Sequence, residues 1–423
     1  MLELFPDSAR IEQGELVLGG VGAAELAYRF GTPLVVYCEE TIRARTRELR
    51  SAVPGADVFY GSKAFPNVAL LRLLAEEGVG ADVSTLGELA FARAAGLAGE
   101  RIVVHGNAKS EEELRAAAET GATVVLDGEG EAERAADAGV RRVLLRVTLG
   151  VEADTHEAIR TGHHGSKFGL SPDAARRTLE DALDRGLQVA GLHVHVGSQL
   201  ADGRAHSETI TRLAAFAARC RDEIDWTPTT VNAGGGFGVR HVLTEPAVDL
   251  GSLAAEIAAD VARAWRPHEL PEPRLALEPG RALVAQAGVT FYRVRSVKRL
   301  EQLTWVAVDG GLSDNPRPQL YGARYTALAA TRASEPATET VSLAGLHCES
   351  GDVLVDDVVL PPMRPGDLLA VPVTGAYTLA MSSNYNATPR PGAVLVREGA
   401  ARVIRRRETV DDLLALEVPP NAG

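Results

Sequence analysis

From about residue 57 onward, apolar positions alternate between two textures. Short runs rich in β-branched and aromatic residues fall at Asp57–Lys63, Val79–Val83, Arg101–His105, Thr123–Asp127, Arg142–Val147, Gln188–Val196, Thr229–Ala233 and Arg274–Glu278. Between them lie longer stretches with apolar residues at helical spacing, such as Val68 through Leu74 and Leu213 through Ile224. The first texture predicts strands and the second predicts helices long enough to carry the chain back for a parallel pairing. A further helix is predicted over Glu39–Ser51. Eight such strands with seven intervening helices predict a (β/α)8 barrel.

Beyond Glu278 the helical spacing disappears. Val289–Val297, Thr304–Val308, Glu339–Leu346, Val353–Val359, Asp367–Val373 and Ala393–Val396 read as short strands divided by Gly, Pro, Asp and Asn. The expected fold class is therefore α/β plus all-β, a TIM-type barrel followed by a β-sandwich or β-barrel domain. Arg10–Glu12 and Glu15–Leu18 are expected to be strands joining that β domain. The expected division is 1–34 for the N-terminal strands, 35–280 for the barrel and 281–423 for the C-terminal β domain.

Composition narrows the functional classes. The 423 residues carry 44 Lys+Arg against 57 Asp+Glu, a net charge of −13, which disfavours nucleic acid and anionic membranes as partners. No apolar run approaches the roughly 18 residues of a membrane span, and the N-terminus has no basic, then apolar, leader pattern. Cys38, Cys220 and Cys348 are odd in number and widely spaced, which fits a reducing, cytoplasmic setting and no disulfide framework.

In such a barrel the chemistry sits at the C-terminal ends of the strands. Those ends supply Lys63, Asp82 with Ser84, His105, Arg146, His195 with Ser198, Gly234-Gly235-Gly236, and Glu278. A lone lysine is ordinarily a solvated charge, but for one aimed into a barrel mouth partial burial lowers the pKa toward neutrality and makes the amine able to attack an aldehyde. Three consecutive glycines after a late strand let backbone N–H groups approach a phosphate. Glu278, in Glu278-Pro279-Gly280-Arg281, offers a carboxylate to a heterocyclic nitrogen. Aldehyde, phosphate and ring nitrogen together describe pyridoxal 5′-phosphate (PLP). His193 and His195, two apart on a strand, are expected on one face. A zinc reading of the pair is set aside, because later strand ends offer glycine and Glu278 instead of further histidines. No metal is expected, and His163-His164 read as a loop feature. Cys348, between residues 347 and 352 in a loop with Glu349 and Asp352, is suited to donate a proton. Arg317, Tyr321 and Tyr377 add basic and phenolic groups on neighbouring loops.

The ordered motifs His-Val-Gly-Ser-Gln, Gly-Gly-Gly-Phe-Gly, Glu-Pro-Gly-Arg, Asn-Pro-Arg-Pro and Cys-Glu-Ser-Gly-Asp span almost the whole chain. Together they resemble the fold-type III PLP-dependent decarboxylases, and within them the branch acting on meso-2,6-diaminopimelate. The resemblance implies release of L-lysine and carbon dioxide. It implies that Lys63 holds PLP covalently, His195 stacks on the ring and Glu278 faces its nitrogen. Asp82, Arg146, Ser198, Gly234, Gly235, Gly236, Gly280, Arg281 and Tyr377 would complete the cofactor site. Arg281, Arg317, Tyr321, Glu349 and Tyr377 would hold the substrate, and Cys348 would donate the proton. Cys348 and Glu349 would do so in a partner subunit's site, so a homodimer is implied. The alternatives are a decarboxylase of ornithine, arginine or lysine, a catalytically silent PLP-fold protein, and a racemase. Glu278 disfavours the racemase, and the retention of Lys63 and Cys348 disfavours the silent protein. Gly61 and Leu312 depart from residues usual in the family, Ala and Met.

Overall fold

The structure is a computed structural model, and it describes residues 1–151 and 166–418. Two compact units emerge, one of residues 43–239 with 247–283, the other of residues 1–42, 240–246 and 284–423.

The first unit is the barrel. Its strands are Asp57–Gly61, Gly80–Val83, Ile102–Val104, Thr123–Leu126, Arg142–Arg146, Gln188–His193, Thr230–Asn232 and Arg274–Leu277, all pairing in parallel and closing between the eighth and the first. Phe59, Val103, Val125, Leu144, Ala190 and Ala276 fill the interior as one buried cluster, so the barrel is a packed core with its chemistry displaced to one end. Five of the outer helices start on a residue whose side chain accepts an N-terminal backbone N–H: Asn67, Thr85, Ser110, Ser171 and Asp249. These caps set where each loop entering a helix ends. His163 and His164 lie outside the described residues.

The second unit is built on the 12-residue strand Gly288–Arg299. Its first half pairs with Leu34–Cys38 and Leu368–Pro372, its second half with Thr304–Val308. Val289 and Phe291 enter one apolar cluster while Tyr292 and Val294 enter another, the period-2 alternation of a strand buried on both faces. The N-terminal strands do not extend this sheet. Arg10–Glu12, Glu15–Leu18 and Val21–Gly22 form a separate three-stranded sheet, which packs on the unit through Leu16, Leu18 and Val21. Leu34–Cys38 is instead a central strand, paired with Gly288–Phe291 on one side and Gly392–Val396 on the other. Five buried apolar residues in succession make it legible as a doubly covered strand. Among the described residues no helix is long and apolar enough to cross a membrane.

Candidate active site

Glu278 follows the eighth barrel strand and lies at the centre of the site. Its carboxylate accepts from His105 Nε2 at 2.7 Å, Asn232 Nδ2 at 2.6 Å and His193 Nε2 at 3.1 Å. Burial alone would push its pKa up, but the neighbouring histidines and their hydrogen bonds outweigh it, holding the carboxyl well below the usual range. The two histidines are pushed in opposite directions. Burial pulls His193 down to about 4, so it donates as a neutral ring. Burial also opposes the charged form of His105, yet Glu278 and Asp82 raise its pKa overall. The rings stand edge to face, centroids 4.7 Å apart. His105, His193 and Glu278 bring three ligand-type atoms within 4.8 Å of one another, and the separations from Glu278 are those of hydrogen bonds.

Asp82, 13 % exposed, lies 3.7 Å from His105, and burial raises its pKa to about 7. Arg146 is buried and paired with Asp127 at 3.3 Å, its guanidinium 4.7 Å from the Phe168 ring centroid. Lys63 sits on the 3-10 turn Ser62–Ala64, just past the first strand. Lys63 is more exposed than a lysine enclosed by the barrel mouth would be, because the turn carries it beyond the packed end of the strand. Its charge acts on Asp82, Glu88 and His195.

Only His193 of the pair lies on the strand, and the two rings have different partners. The sixth strand ends at His193, which serves Glu278, while Nδ1 of His195 accepts the Gly235 N–H at 3.3 Å. Burial, and then the charges of Lys63 and Arg146, hold His195 neutral, leaving a flat uncharged ring in the mouth. The glycines also meet a steric requirement beyond the one expected. A Cβ on Gly234, Gly235 or Gly236 would run into the backbone carbonyl of Val194, Glu278 or Gly197 respectively, so close backbone approach demands glycine. The Gly234 N–H goes to Asn232 Oδ1 at 2.9 Å and the Gly235 N–H to His195; among the described residues that of Gly236 has no protein acceptor. Ser198 Oγ accepts from Arg281 Nη2 at 3.2 Å, where the helix Arg281–Val284 begins after Gly280.

The β unit carries its own polar cluster. Cys348 is exposed in the turn between strands Glu339–Ala344 and Val353–Leu360. Asp352 builds that turn, accepting from the N–H groups of Leu312 at 2.7 Å and His347 at 2.9 Å. Of the two acids read beside Cys348, only Glu349 points outward, and the Tyr385 hydroxyl holds it. Arg317 is buried at the start of the helix Arg317–Tyr321, and Tyr321 and Tyr377 are half-buried.

Sequence reasoning gave His105 and His193 no partner and missed Asn232. A usable signal was present: Asn232 is the polar last residue of the strand entering the glycine cluster, and it hydrogen-bonds both Gly234 and Glu278.

The donor set fits PLP: an accessible amine for its aldehyde, a neutral imidazole to lie on its ring, an ionised carboxylate for its nitrogen, and Ser198, Arg281 and the Gly236 amide as hydrogen-bond donors for its phosphate. Barrel and donors together define a PLP-dependent enzyme of amino-acid chemistry. The family model for the pyridoxal-binding domain of pyridoxal-dependent decarboxylases matches residues 39–285, and the chain belongs to that family. It is 47% identical over 422 residues to a diaminopimelate decarboxylase of Actinosynnema pretiosum, covering 98% of this chain and 95% of that one. It is 41% identical to the diaminopimelate decarboxylase of Bacillus subtilis, covering 99% of each. The crystal structure of the M. jannaschii diaminopimelate decarboxylase with L-lysine is similar at a TM-score of 0.92 and 34% identity, covering 98% of this chain and 99% of that one.

Proposed function

We propose that the protein removes one carboxylate from meso-2,6-diaminopimelate, releasing carbon dioxide and L-lysine, as the last step of lysine biosynthesis. The observation that carries this reading is Glu278, a carboxylate kept ionised by three donors at the mouth of a barrel whose relatives are diaminopimelate decarboxylases. PLP supplies an electron sink for the pair left on carbon when the bond to the carboxylate breaks. With PLP bound, Glu278 would favour a proton on its ring nitrogen and so deepen that sink, while Lys63 would hold the cofactor. The neutral His195 ring would pack against it, and Asp82, Arg146, Ser198, Gly280, Arg281 and Tyr377 would hold the cofactor in place. Arg281, Arg317, Tyr321 and Tyr377 bind the substrate, and Glu349 receives its distal ammonium. The Cys348 thiol then delivers the proton that replaces carbon dioxide, and the thiolate recovers a proton from water. The enzyme acts in the cytoplasm as a homodimer, with Cys348 and Glu349 serving the partner subunit. Exposed Cys348 and Glu349, with the exposed apolar Leu346 two residues before Cys348, support that assembly.

The test is lysine and carbon dioxide release by the PLP-loaded protein offered diaminopimelate, ornithine, arginine and lysine in turn. Turnover of another amino acid without diaminopimelate refutes the substrate. Cys348→Ala should lower turnover by on the order of 10²–10⁴, and unchanged turnover removes its role.

A further inference from the structure

Arg317 is the buried cation whose surroundings are least expected. It is 6% exposed, and among the described residues no carboxylate lies within ion-pair distance of it. Its partners are neutral: Nη1 donates to the Tyr325 hydroxyl at 2.6 Å and lies 3.0 Å from His241 Nε2. Guanidinium nitrogens only donate, so His241 Nε2 must accept, which makes the ring neutral and places its proton on Nδ1. That nitrogen lies 3.8 Å from a Glu245 oxygen, and the same oxygen accepts the His241 backbone N–H at 2.7 Å. His241 is 4% exposed and stands edge-on to the Tyr325 ring, centroids 5.6 Å apart and planes at 88°. Glu245 thus anchors the backbone of His241, and His241 with Tyr325 grips one nitrogen of Arg317.

The consequence follows from the shape of the guanidinium. Nη1 has two hydrogens, and both are directed to protein acceptors. What remains is the fork formed by Nε–H and Nη2–H, the geometry that binds one carboxylate with two parallel hydrogen bonds. A buried guanidinium without an acid partner is itself a receptor for an external anion. An ion-paired carboxylate resists loss as carbon dioxide, because the pairing stabilises the charge that decarboxylation must remove. The carboxylate on Arg317 is therefore the retained one, the carboxylate of the L-lysine product.

We propose that His241, with Tyr325, is the positioning residue that aims the open fork of Arg317 at the retained substrate carboxylate and so sets the selectivity for a dicarboxylate. The proposal rests on reading Arg317 as a substrate-binding residue, and the experiment separates the two. Steady-state kinetics with diaminopimelate, and binding of L-lysine and of cadaverine, which has no carboxylate, are measured on the PLP-loaded full chain. His241→Ala should raise KM and weaken L-lysine by roughly tenfold to a hundredfold, with kcat and cadaverine affinity nearly unchanged. His241→Gln, which restores an acceptor near the Nε2 position, should recover most of the loss, as a purely structural role would not. Unchanged KM in His241→Ala, or equal weakening of cadaverine, overturns the proposal. If His241→Ala does not fold, Tyr325→Phe decides, since it deletes one acceptor and keeps the ring; unchanged KM there also overturns it. Arg317→Met separates the levels: unchanged KM in that variant refutes the substrate reading itself, whereas raised KM there with normal His241→Ala refutes only the positioning.

Discussion

Replacing Asp82 by Asn removes a carboxylate that the fold holds in an unfavourable state. Burial raises its pKa from 3.8 to about 7, with the His105 charge pulling it down and the Glu278 charge pushing it up. Because the folded value lies above the unfolded one, the folded chain keeps a proton that the unfolded chain has already lost. Stability therefore falls as pH rises from about 4 to about 7. Above that window the full penalty stands, about three pKa units at ~1.4 kcal/mol each, or ~4 kcal/mol. Ionised Asp82 in turn favours the protonated form of His105, and Asn gives that up, so the net gain is smaller, on the order of 2 kcal/mol. For a unit of this size that is about 4–8 °C in melting temperature. Less than half of the penalty is present at about pH 5, so the advantage of Asp82→Asn should about double between there and about pH 8.5. The assay is thermal unfolding of the cofactor-free full chain, wild type against variant, by circular dichroism at both pH values. An equal advantage at both, or a variant less stable at the higher pH, refutes the charge assignment. The variant should also lose activity, since a destabilised charge in a catalytic mouth is kept for function.

Glu278→Gln preserves shape but turns an amide N–H₂ toward His193 Nε2–H. Among the described residues the opposite ring nitrogen of His193 is buried without an acceptor, so neither tautomer satisfies the pair. Turnover should fall by on the order of 10²–10³, with a changed absorption spectrum of bound PLP; an unaltered spectrum and rate would remove Glu278 from the cofactor's electronics. Gly235→Ala should abolish cofactor retention, because its Cβ meets the Glu278 carbonyl, and a dialysed variant that stays yellow contradicts this. Gly61→Ala is the contrasting case. Gly61 has φ −65°, and the nearest atoms to an added Cβ are 3.5 Å away. It should be neutral or stabilising by about 0.4–1 kcal/mol, read as an equal or higher melting temperature, and it shows that this departure from the family leaves the site intact.

Much of the architecture is set by local pattern. The strand Arg142–Arg146, the helix Val68–Glu76 and the β-unit strand Thr304–Val308 are legible because burial on a barrel, a helix face or a sheet imposes periods of 2 or 3.6 on neighbouring residues. The strand-end residues Lys63, Asp82, Arg146 and Glu278 follow from the same reading, since barrel geometry places strand ends at one mouth. The strand Leu34–Cys38 escaped its domain because nothing local says that its partners are Gly288–Phe291 and Gly392–Val396.

What the sequence by itself determined, then, is the order of elements, the fold class and the residue types of the site. Only the tertiary structure decided their states: that Glu278 is ionised by His105, His193 and Asn232, that Lys63 is exposed, and that His241 turns Arg317. The reason is physical. Secondary structure depends on residues a few positions apart, whereas charge and hydrogen-bond state depend on burial and on partners 173, 85 and 76 residues away along the chain.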